Sequence, residues 1–590
     1  MRKVLLSFCS LAERWLPTLD EDDGHYSLGL GYLAAVLEQA GHDCLILFAP
    51  GLPRSQCLEQ LQQTITSYRP DVVGFGIISD NRVASYRAIE WLHASQPDIP
   101  ILIGGIHTTV MYRQLLERYP FLIAVLGEGE RTVPELIATL ATNGDLASVA
   151  GIAFVNNGAV VTTANRPLID PLDELPFPRH EAFFTPQRTA AQIITSRGCP
   201  FRCSFCVLDV VSHRQVRYRS VTHVVDEIEF VLQRFPQVTS FQILDDQFFL
   251  NKRRVIHFCD EVVRRNIRTD FIVQGRVKPF DRDVVLAMER AHFYHVTLGL
   301  ESGARQILKS CHKGIVPEDV QRAVSLLAGT KLGLTVLLII GLPGETRETI
   351  LETIALCKDL QKRHYHYYSH QIQTIFVYPG SELHDLAKQA GMITDDFWLT
   401  DQDVPYYTVE HSLEEMQTDY RELLLNHLCA ERIFLPEGFA AQKEMIPYIN
   451  RQAFTNPRPG KEYFRHLVLH VVQRMGQQGQ LEIKLKVSQS LLAEMRSGII
   501  FTEVVRDTGS DHQFTLTITP IDNSRIIEKA IEQAYQHGPS ILTQRIDEGV
   551  AEFLAEALAL DNPWTLLGQI PGIERINRHP VGYKIGRQSS

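Results

Sequence analysis

The chain has 590 residues, length for about three or four domains, and its 45% hydrophobic and 22% charged content excludes a disordered or fibrous chain. A formal net charge of −11, with no dense Lys/Arg block, gives no charge-based support for binding nucleic acid or an anionic membrane. No run of about 18 apolar residues occurs, so no transmembrane segment is expected.

Strand and helix signals alternate from the start. Val4-Leu5-Leu6-Ser7-Phe8 reads as a strand, too short and too soon followed by Glu13 and Arg14 to be a signal peptide. A helix is expected over 28–40, with Leu30, Leu33, Ala34 and Leu37 on one face and Gly41 as its stop. Strand Cys44–Phe48, a helix through Leu58, Leu61 and Ile65, and the apolar strand Val72–Ile77 follow. Next come a helix over 83–95, strands at 101–103 and 123–126, and a closing helix over 131–141. This spacing predicts a doubly wound α/β domain over 1–142, with ligands at its strand C-termini. Glycines there let a large flat ligand approach the backbone.

Residues 143–190 read as a linker, with a piece of hairpin at Val160-Val161-Thr162 and a proline-set exit at Leu175-Pro176-Phe177-Pro178. Alternation resumes over 191–395. Strands are expected at 191–195, 240–246, 271–276, 295–301, 334–341 and 373–377, and a helix at 221–234. Arg217 and Arg219 before that helix suit either an anionic group or a solvated surface. His364, His366 and His370, interleaved with tyrosines, read as a connecting turn. The remainder, 396–590, is expected to be an α+β domain shaping a substrate site. Its signals are a helix at 413–432, an alternating strand at 480–487, a hairpin around Gly509-Ser510-Asp511 and helices at 524–536 and 546–560.

The chemistry concentrates in Arg197-Gly198-Cys199-Pro200-Phe201-Arg202-Cys203-Ser204-Phe205-Cys206. Iron–sulfur cubes are normally held by four thiolates, so Cys199, Cys203 and Cys206 would leave one iron open. The alternatives are unrelated thiols or an incomplete zinc site. Zinc wants a fourth Cys or His at short spacing, and the next candidate, His213, lies seven residues on. The other seven cysteines are scattered and read as small core residues in a reducing cytoplasm.

The Cys-x3-Cys-x2-Cys run resembles the cluster loop of radical S-adenosylmethionine (SAM) enzymes. The first domain, through Leu28-Gly29-Leu30-Gly31, Gly104-Gly105-Ile106-His107-Thr108 and Gly127-Glu128-Gly129-Glu130, resembles the cobalamin-binding domain found ahead of some radical SAM barrels. The resemblance implies a partial (β/α)6 barrel and three cofactors: a [4Fe-4S] cluster on Cys199, Cys203 and Cys206, SAM on its open iron, and cobalamin. It assigns Leu28, Gly104, Gly105, His107, Gly127 and Glu128 to cobalamin. Gln274 and Arg276 would meet the SAM carboxylate or the substrate, Glu301 and Ser302 the ribose, Gly341 the adenine, and Tyr378 closes the sixth strand. Asp245 and Asp246 are candidates for acid–base work or for positioning SAM or substrate, with helix capping as the plain alternative. The lower-ligand pattern Asp-x-His-x-x-Gly is missed by one residue at Asp23-Gly24-His25-Tyr26-Ser27-Leu28-Gly29, so His25 is not expected on cobalt.

The implied activity is methylation of an unactivated carbon of a natural-product or cofactor-like small molecule or a modified peptide. It would draw single electrons from an external flavodoxin- or ferredoxin-type reductant. An oxidative cyclase or ring-rearranging enzyme with the same cofactors, and an inactive cobalamin-binding sensor, are the alternatives.

Overall fold

A computed structural model describes residues 1–11, 26–186, 188–278, 280–330, 332–364 and 367–420, and six strands farther along. Two compact units emerge: Met1–Thr349 with Ile372–Met416, and Ile350–Gln371 with Gln417–Ser590.

In the first unit, β1 (Lys3–Phe8), α1 (Leu28–Gln39), β2 (Asp43–Phe48), α2 (Arg54–Tyr68), β3 (Val72–Gly76), α3 (Arg82–Ser95), β4 (Ile101–Gly104), α4 (Ile106–Arg118), β5 (Leu122–Val125) and α5 (Thr132–Ala141) alternate. The five strands pair in parallel in the order β2-β1-β3-β4-β5, and the reversal at β1 opens a crevice at the strand C-termini. Val4, Leu5, Val73 and Ile103 are buried because helices cover both faces. Helix α1 starts where the Ser27 hydroxyl accepts the Leu30 N–H at 3.3 Å.

Helix α4 is absent from the sequence expectation. Its first turn, Ile106-His107-Thr108-Thr109, is largely β-branched, which hides the helical period that Met111, Leu115 and Leu116 establish. The hairpin of β6 (Ile152–Asn156) and β7 (Ala159–Thr162) adds antiparallel strands to β5, so this sheet continues past the boundary expected at 142.

The barrel elements are β8 (Ala190–Ile193), the short β9 (Ser196–Arg197), α6 (Asp209–Ser212), β10 (Arg217–Tyr218), α7 (Val221–Arg234), β11 (Ser240–Ile243), α8 (Lys252–Arg264), β12 (Asp270–Gly275), α9 (Arg282–Arg290), β13 (Phe293–Glu301), α10 (Arg305–Ser310), α11 (Pro317–Leu327), β14 (Gly333–Ile340), α12 (Arg347–Arg363), β15 (Tyr367–Thr374) and α13 (Glu382–Gln389). Six strands lie side by side in chain order, β8-β11-β12-β13-β14-β15, as a partial barrel requires. Helix α8 shows why the helices pack outside: Val255, Phe258, Cys259 and Val262 form one buried stripe. Strand β15 begins at Tyr367 rather than at the expected residue 373. The aromatic run there has strand propensity that outweighs the reading as a turn.

Segment 395–407 returns to the N-terminal domain, beyond the boundary expected at 395. Trp398 is fully buried, its indole N–H donates to His384 Nε2 at 3.0 Å, and the Arg82 guanidinium lies 5.2 Å over its ring. Ion pairs Arg54–Asp403 (2.8 Å) and Arg87–Asp401 (2.6 Å) extend the contact.

In the second unit, β16 (Leu481–Val487), β17 (Glu503–Asp507), β18 (Gln513–Ile518) and β19 (Ile541–Thr543) form an antiparallel sheet ordered β17-β18-β16-β19. The strand and hairpin read from the sequence are thus present. A separate hairpin joins β20 (Ile573–Ile576) and β21 (Gly582–Ile585). The helices expected at 524–536 and 546–560 lie outside the described residues, as does His25. Of the helix expected at 413–432, the described residues 413–420 are helical, with a π-helical stretch over Glu415–Tyr420. Among the described residues no helix is long and apolar enough to cross a membrane.

Candidate active site

The cysteine loop springs from the junction of β8 and β9, and the two aspartates that end β11 hold that junction. Asp245, 2% exposed, accepts from the Thr195 N–H (2.5 Å) and Ser196 N–H (3.1 Å) with one oxygen. Its other oxygen accepts from the hydroxyls of Thr195 (2.5 Å) and Ser196 (2.6 Å). Asp246 accepts the Gly198 N–H at 2.8 Å. Gly198 has φ 97°, and a Cβ there would lie 2.0 Å from the Gln215 carbonyl oxygen, so no other residue fits the turn. The expectation that Asp245 is catalytic is corrected: its oxygens are spent on the loop root. Asp246 keeps a face open to solvent. Surrounding protein nevertheless raises its carboxyl pKa, and the Asp245 charge adds to the rise. Arg254 completes the root, donating to Thr195 Oγ1 (3.0 Å) and the Thr195 carbonyl (2.8 Å).

Cys199 and Cys203 are half-buried and Cys206 is exposed at the loop tip. Crowding by protein raises the thiol pKa of Cys199, and that of Cys206 to about 11; the neighbouring cysteines add to both shifts, which sets the three thiols within electrostatic reach of one another. Among the described residues no three His, Cys, Asp or Glu side chains converge tightly enough to hold a single metal ion. A cube makes no such demand, because each thiolate takes its own iron. Compensation for thiolate charge is at hand. Arg276, buried at the end of β12, donates from Nη1 to Cys203 Sγ at 3.2 Å and stacks 3.8 Å over the Phe201 ring. Its Nη2 is buried with no hydrogen-bond partner, a donor left for an anionic group. These residues fit a cluster with a carboxylate-bearing ligand beside it. Gln274 is exposed at the same strand end.

Glu301 ends β13 at φ 69° and forms a buried ion pair with Lys313 at 2.5 Å. A Cβ on Gly299 would lie 2.7 Å from the Glu301 carboxylate and 2.9 Å from Lys313 Nζ, so the glycine makes room for the pair. The Ser302 hydroxyl accepts the Ala304 N–H at 3.2 Å. Gly341 turns at φ 87°, and its N–H donates to Glu345 at 2.5 Å. Burial pushes the Glu345 carboxyl up to about 8, with that N–H pulling the other way. The Tyr378 hydroxyl donates to Asp80 at 3.2 Å, tying the last barrel strand to the loop after β3.

The cobalamin assignments fare unevenly. Gly104 and Gly127 stand at strand C-termini on the crevice edge, where a ligand would approach. Gly105 is required by packing, since a Cβ would lie 2.6 Å from the Ile77 carbonyl oxygen. Leu28 is a core residue, 4% exposed. His107 is buried with both ring nitrogens engaged, by Ser79 Oγ (3.0 Å) and Tyr86 OH (2.8 Å), and burial depresses its pKa to about 3. It is a neutral structural histidine whose two ring nitrogens are both taken. Glu128 is corrected most: it binds Arg197 (3.0 Å) and Arg217 (2.8 and 2.9 Å).

Arg197, Lys313 and Glu345 were missed as site residues. Arg197 lies in the two-residue β9, and Lys313 and Glu345 lie in loops, where no periodic pattern marks a charge as partnered. The anionic groups suited to Arg217 and Arg219 are protein carboxylates, Glu128 and Glu227.

The chain matches the B12 binding domain over residues 22–137 and the Radical SAM superfamily over 193–357. It is 30% identical to an uncharacterized methyltransferase of Pyrococcus horikoshii over 379 residues, 63% of this chain and 80% of that one. It is 31% identical to the anaerobic magnesium-protoporphyrin IX monomethyl ester cyclase of Rubrivivax gelatinosus, covering 56% of this chain and 61% of the cyclase. The chain thus spans less than two thirds of that cyclase. Its fold is that of two solved structures. The cobalamin-dependent S-adenosylmethionine radical enzyme OxsB matches with TM-score 0.61 at 16% identity, over 90% of this chain and 78% of that one. The radical S-adenosylmethionine methyltransferase TsrM of Kitasatospora setae matches with TM-score 0.55 at 20% identity, over 66% and 77%. Both domains stand in family order and the archaeal relative is matched along most of its length, so the chain belongs to the cobalamin-binding radical SAM enzymes, whose cofactors are cobalamin, a [4Fe-4S] cluster and SAM.

Proposed function

We propose that this enzyme methylates carbon in a small-molecule substrate. The observation that carries the reading is the similarity to a methyltransferase along four fifths of that protein's length, joined to a cluster loop hydrogen-bonded to the corrinoid domain. Further relatives include cytidylyl-2-hydroxyethylphosphonate methyltransferase of Streptomyces wedmorensis, 28% identical.

When bound, cobalamin supplies a transferable methyl group, and the cluster with SAM supplies a 5′-deoxyadenosyl radical for hydrogen abstraction. The chain's own residues position and shield. Asp245, Asp246 and Arg254 fix the root of the cluster loop. Arg276 offsets thiolate charge and offers Nη2 to a carboxylate. Glu301, anchored on one oxygen by Lys313, offers the other to a diol. Electrons must come from outside, so an external one-electron donor protein is the partner proposed.

Anaerobically reconstituted holoenzyme, given methyl-deuterated SAM and a pool of candidate substrates, should yield a product in which one hydrogen is replaced by a trideuteromethyl group. S-adenosylhomocysteine and 5′-deoxyadenosine should form together. The similarity to the cyclase favours a second reading, radical oxidation without methylation, and a product lighter by hydrogens with no label would establish it. Cys203→Ala should lose iron and 5′-deoxyadenosine while keeping the cobalamin absorption band.

A further inference from the structure

The turn after β5, Gly127-Glu128-Gly129-Glu130, lies at the strand C-termini of the N-terminal sheet, yet its carboxylates reach into the barrel. One Glu128 oxygen accepts from Arg197 Nη1 (3.0 Å) and Arg217 Nη2 (2.9 Å). The other accepts from Arg217 Nη1 (2.8 Å) and the Ile169 N–H (2.8 Å). A carboxylate has about four lone-pair sites, so none is left for a ligand. Glu130 accepts from Arg197 Nη2 at 2.7 Å, and the same guanidinium lies 5.0 Å over the Tyr32 ring of α1. Arg197 therefore meets three side chains of the corrinoid domain, two residues before Cys199. Between them stands Gly198, whose backbone is fixed by its φ of 97° and by Asp246. A displacement of Arg197 is thus carried directly into the cluster loop.

We infer that Glu128 and Glu130 are positioning residues that set the placement of the iron–sulfur cluster relative to the corrinoid. The inference rests on the family assignment and holds whether the reaction is methylation or oxidation. Charge supports it. Burial opposes ionisation of Glu128, but Arg217 and Arg197 outweigh it and hold the carboxyl below its ordinary range. Each domain holds one flank of the loop root: Asp245, Asp246 and Arg254 from the barrel, and Glu128 and Glu130 from the corrinoid domain.

The test is Glu128→Gln, which keeps an acceptor for Ile169 but removes the charge shared by two arginines. The variant should bind cobalamin and iron as the parent does. The magnetic interaction between the reduced cluster and cobalt(II) corrinoid, read by electron paramagnetic resonance, should broaden or weaken. A role in folding alone would leave that interaction sharp in whatever fraction folds. In the cofactor-free chain, hydrogen exchange of the peptide 195–206 should quicken about tenfold or more, because charge-assisted bonds are replaced by neutral ones. Glu130→Gln, which loses the Arg197 contact only, should move both readouts less and in the same direction; it serves if Glu128→Gln does not fold. An unchanged spin interaction with unchanged exchange would overturn the inference. So would loss of cobalamin from Glu128→Gln with the cluster loop still protected, which would make Glu128 a corrinoid contact.

Discussion

Asp245 separates a structural from a catalytic carboxylate by its response to two substitutions. In Asp245→Ala the N–H groups of Thr195 and Ser196 lose their acceptor in a buried site, while the two hydroxyls can turn elsewhere. Each orphaned donor costs about 1–3 kcal/mol, so the ordered loop root is destabilised by about 4 kcal/mol, roughly a thousandfold in its population. Asp245→Asn is different because both N–H groups point to the same oxygen. An amide oxygen can replace it, and the amide NH2 can donate to the hydroxyls of Thr195 and Ser196, which accept as well as donate. What is lost is the charge near Arg254, about 1–2 kcal/mol. The assay is iron content after anaerobic reconstitution, followed by SAM cleavage. The asparagine variant should keep its iron and retain cleavage within about tenfold of the parent, whereas the alanine variant should lose both. An asparagine variant with full iron and no cleavage would refute the reasoning and return Asp245 to the reacting atoms.

Lys313→Met should destabilise the barrel by about 3–5 kcal/mol, because it leaves Glu301 buried without its counter-charge. Adding Glu301→Gln should recover a large part of that loss; strictly additive changes in the denaturation midpoint would show that the pair is not coupled. Glu345 makes stability depend on pH. Its folded value, about 8, lies above the unfolded one, so its contribution is complete below pH about 4.3 and is lost as pH rises through 8. The thermal midpoint of the parent should therefore fall from pH 5 to 8.5 relative to Glu345→Gln. Parallel pH profiles for the two proteins would contradict the assignment.

Alternation of apolar strands and amphipathic helices was legible because it is local, and so were the three thiols, which lie within one short loop. Burial and long-range pairing were not legible. His107 follows two glycines at a strand end, as a ligand would, and only the packing of Ser79 and Tyr86 around it reveals a neutral core residue. Glu128 and Arg217 are 89 positions apart, and charge complementarity over such a span leaves no periodic trace. Helix α4 was hidden for the opposite reason. Its β-branched first turn argues locally for a strand, and tertiary packing of Leu115 and Leu116 overrides it.

The return of segment 395–407 bears on where this polypeptide can be cut. Ending it after residue 395, at the close of the barrel as the motifs suggest, would strip the cover from Arg82 and remove the indole that His384 and the face of His107 pack against. Uncovering such a surface invites self-association. Shortened versions that retain everything through Tyr407 keep Trp398 in its socket, together with the backbone bond from Tyr407 to Ile375.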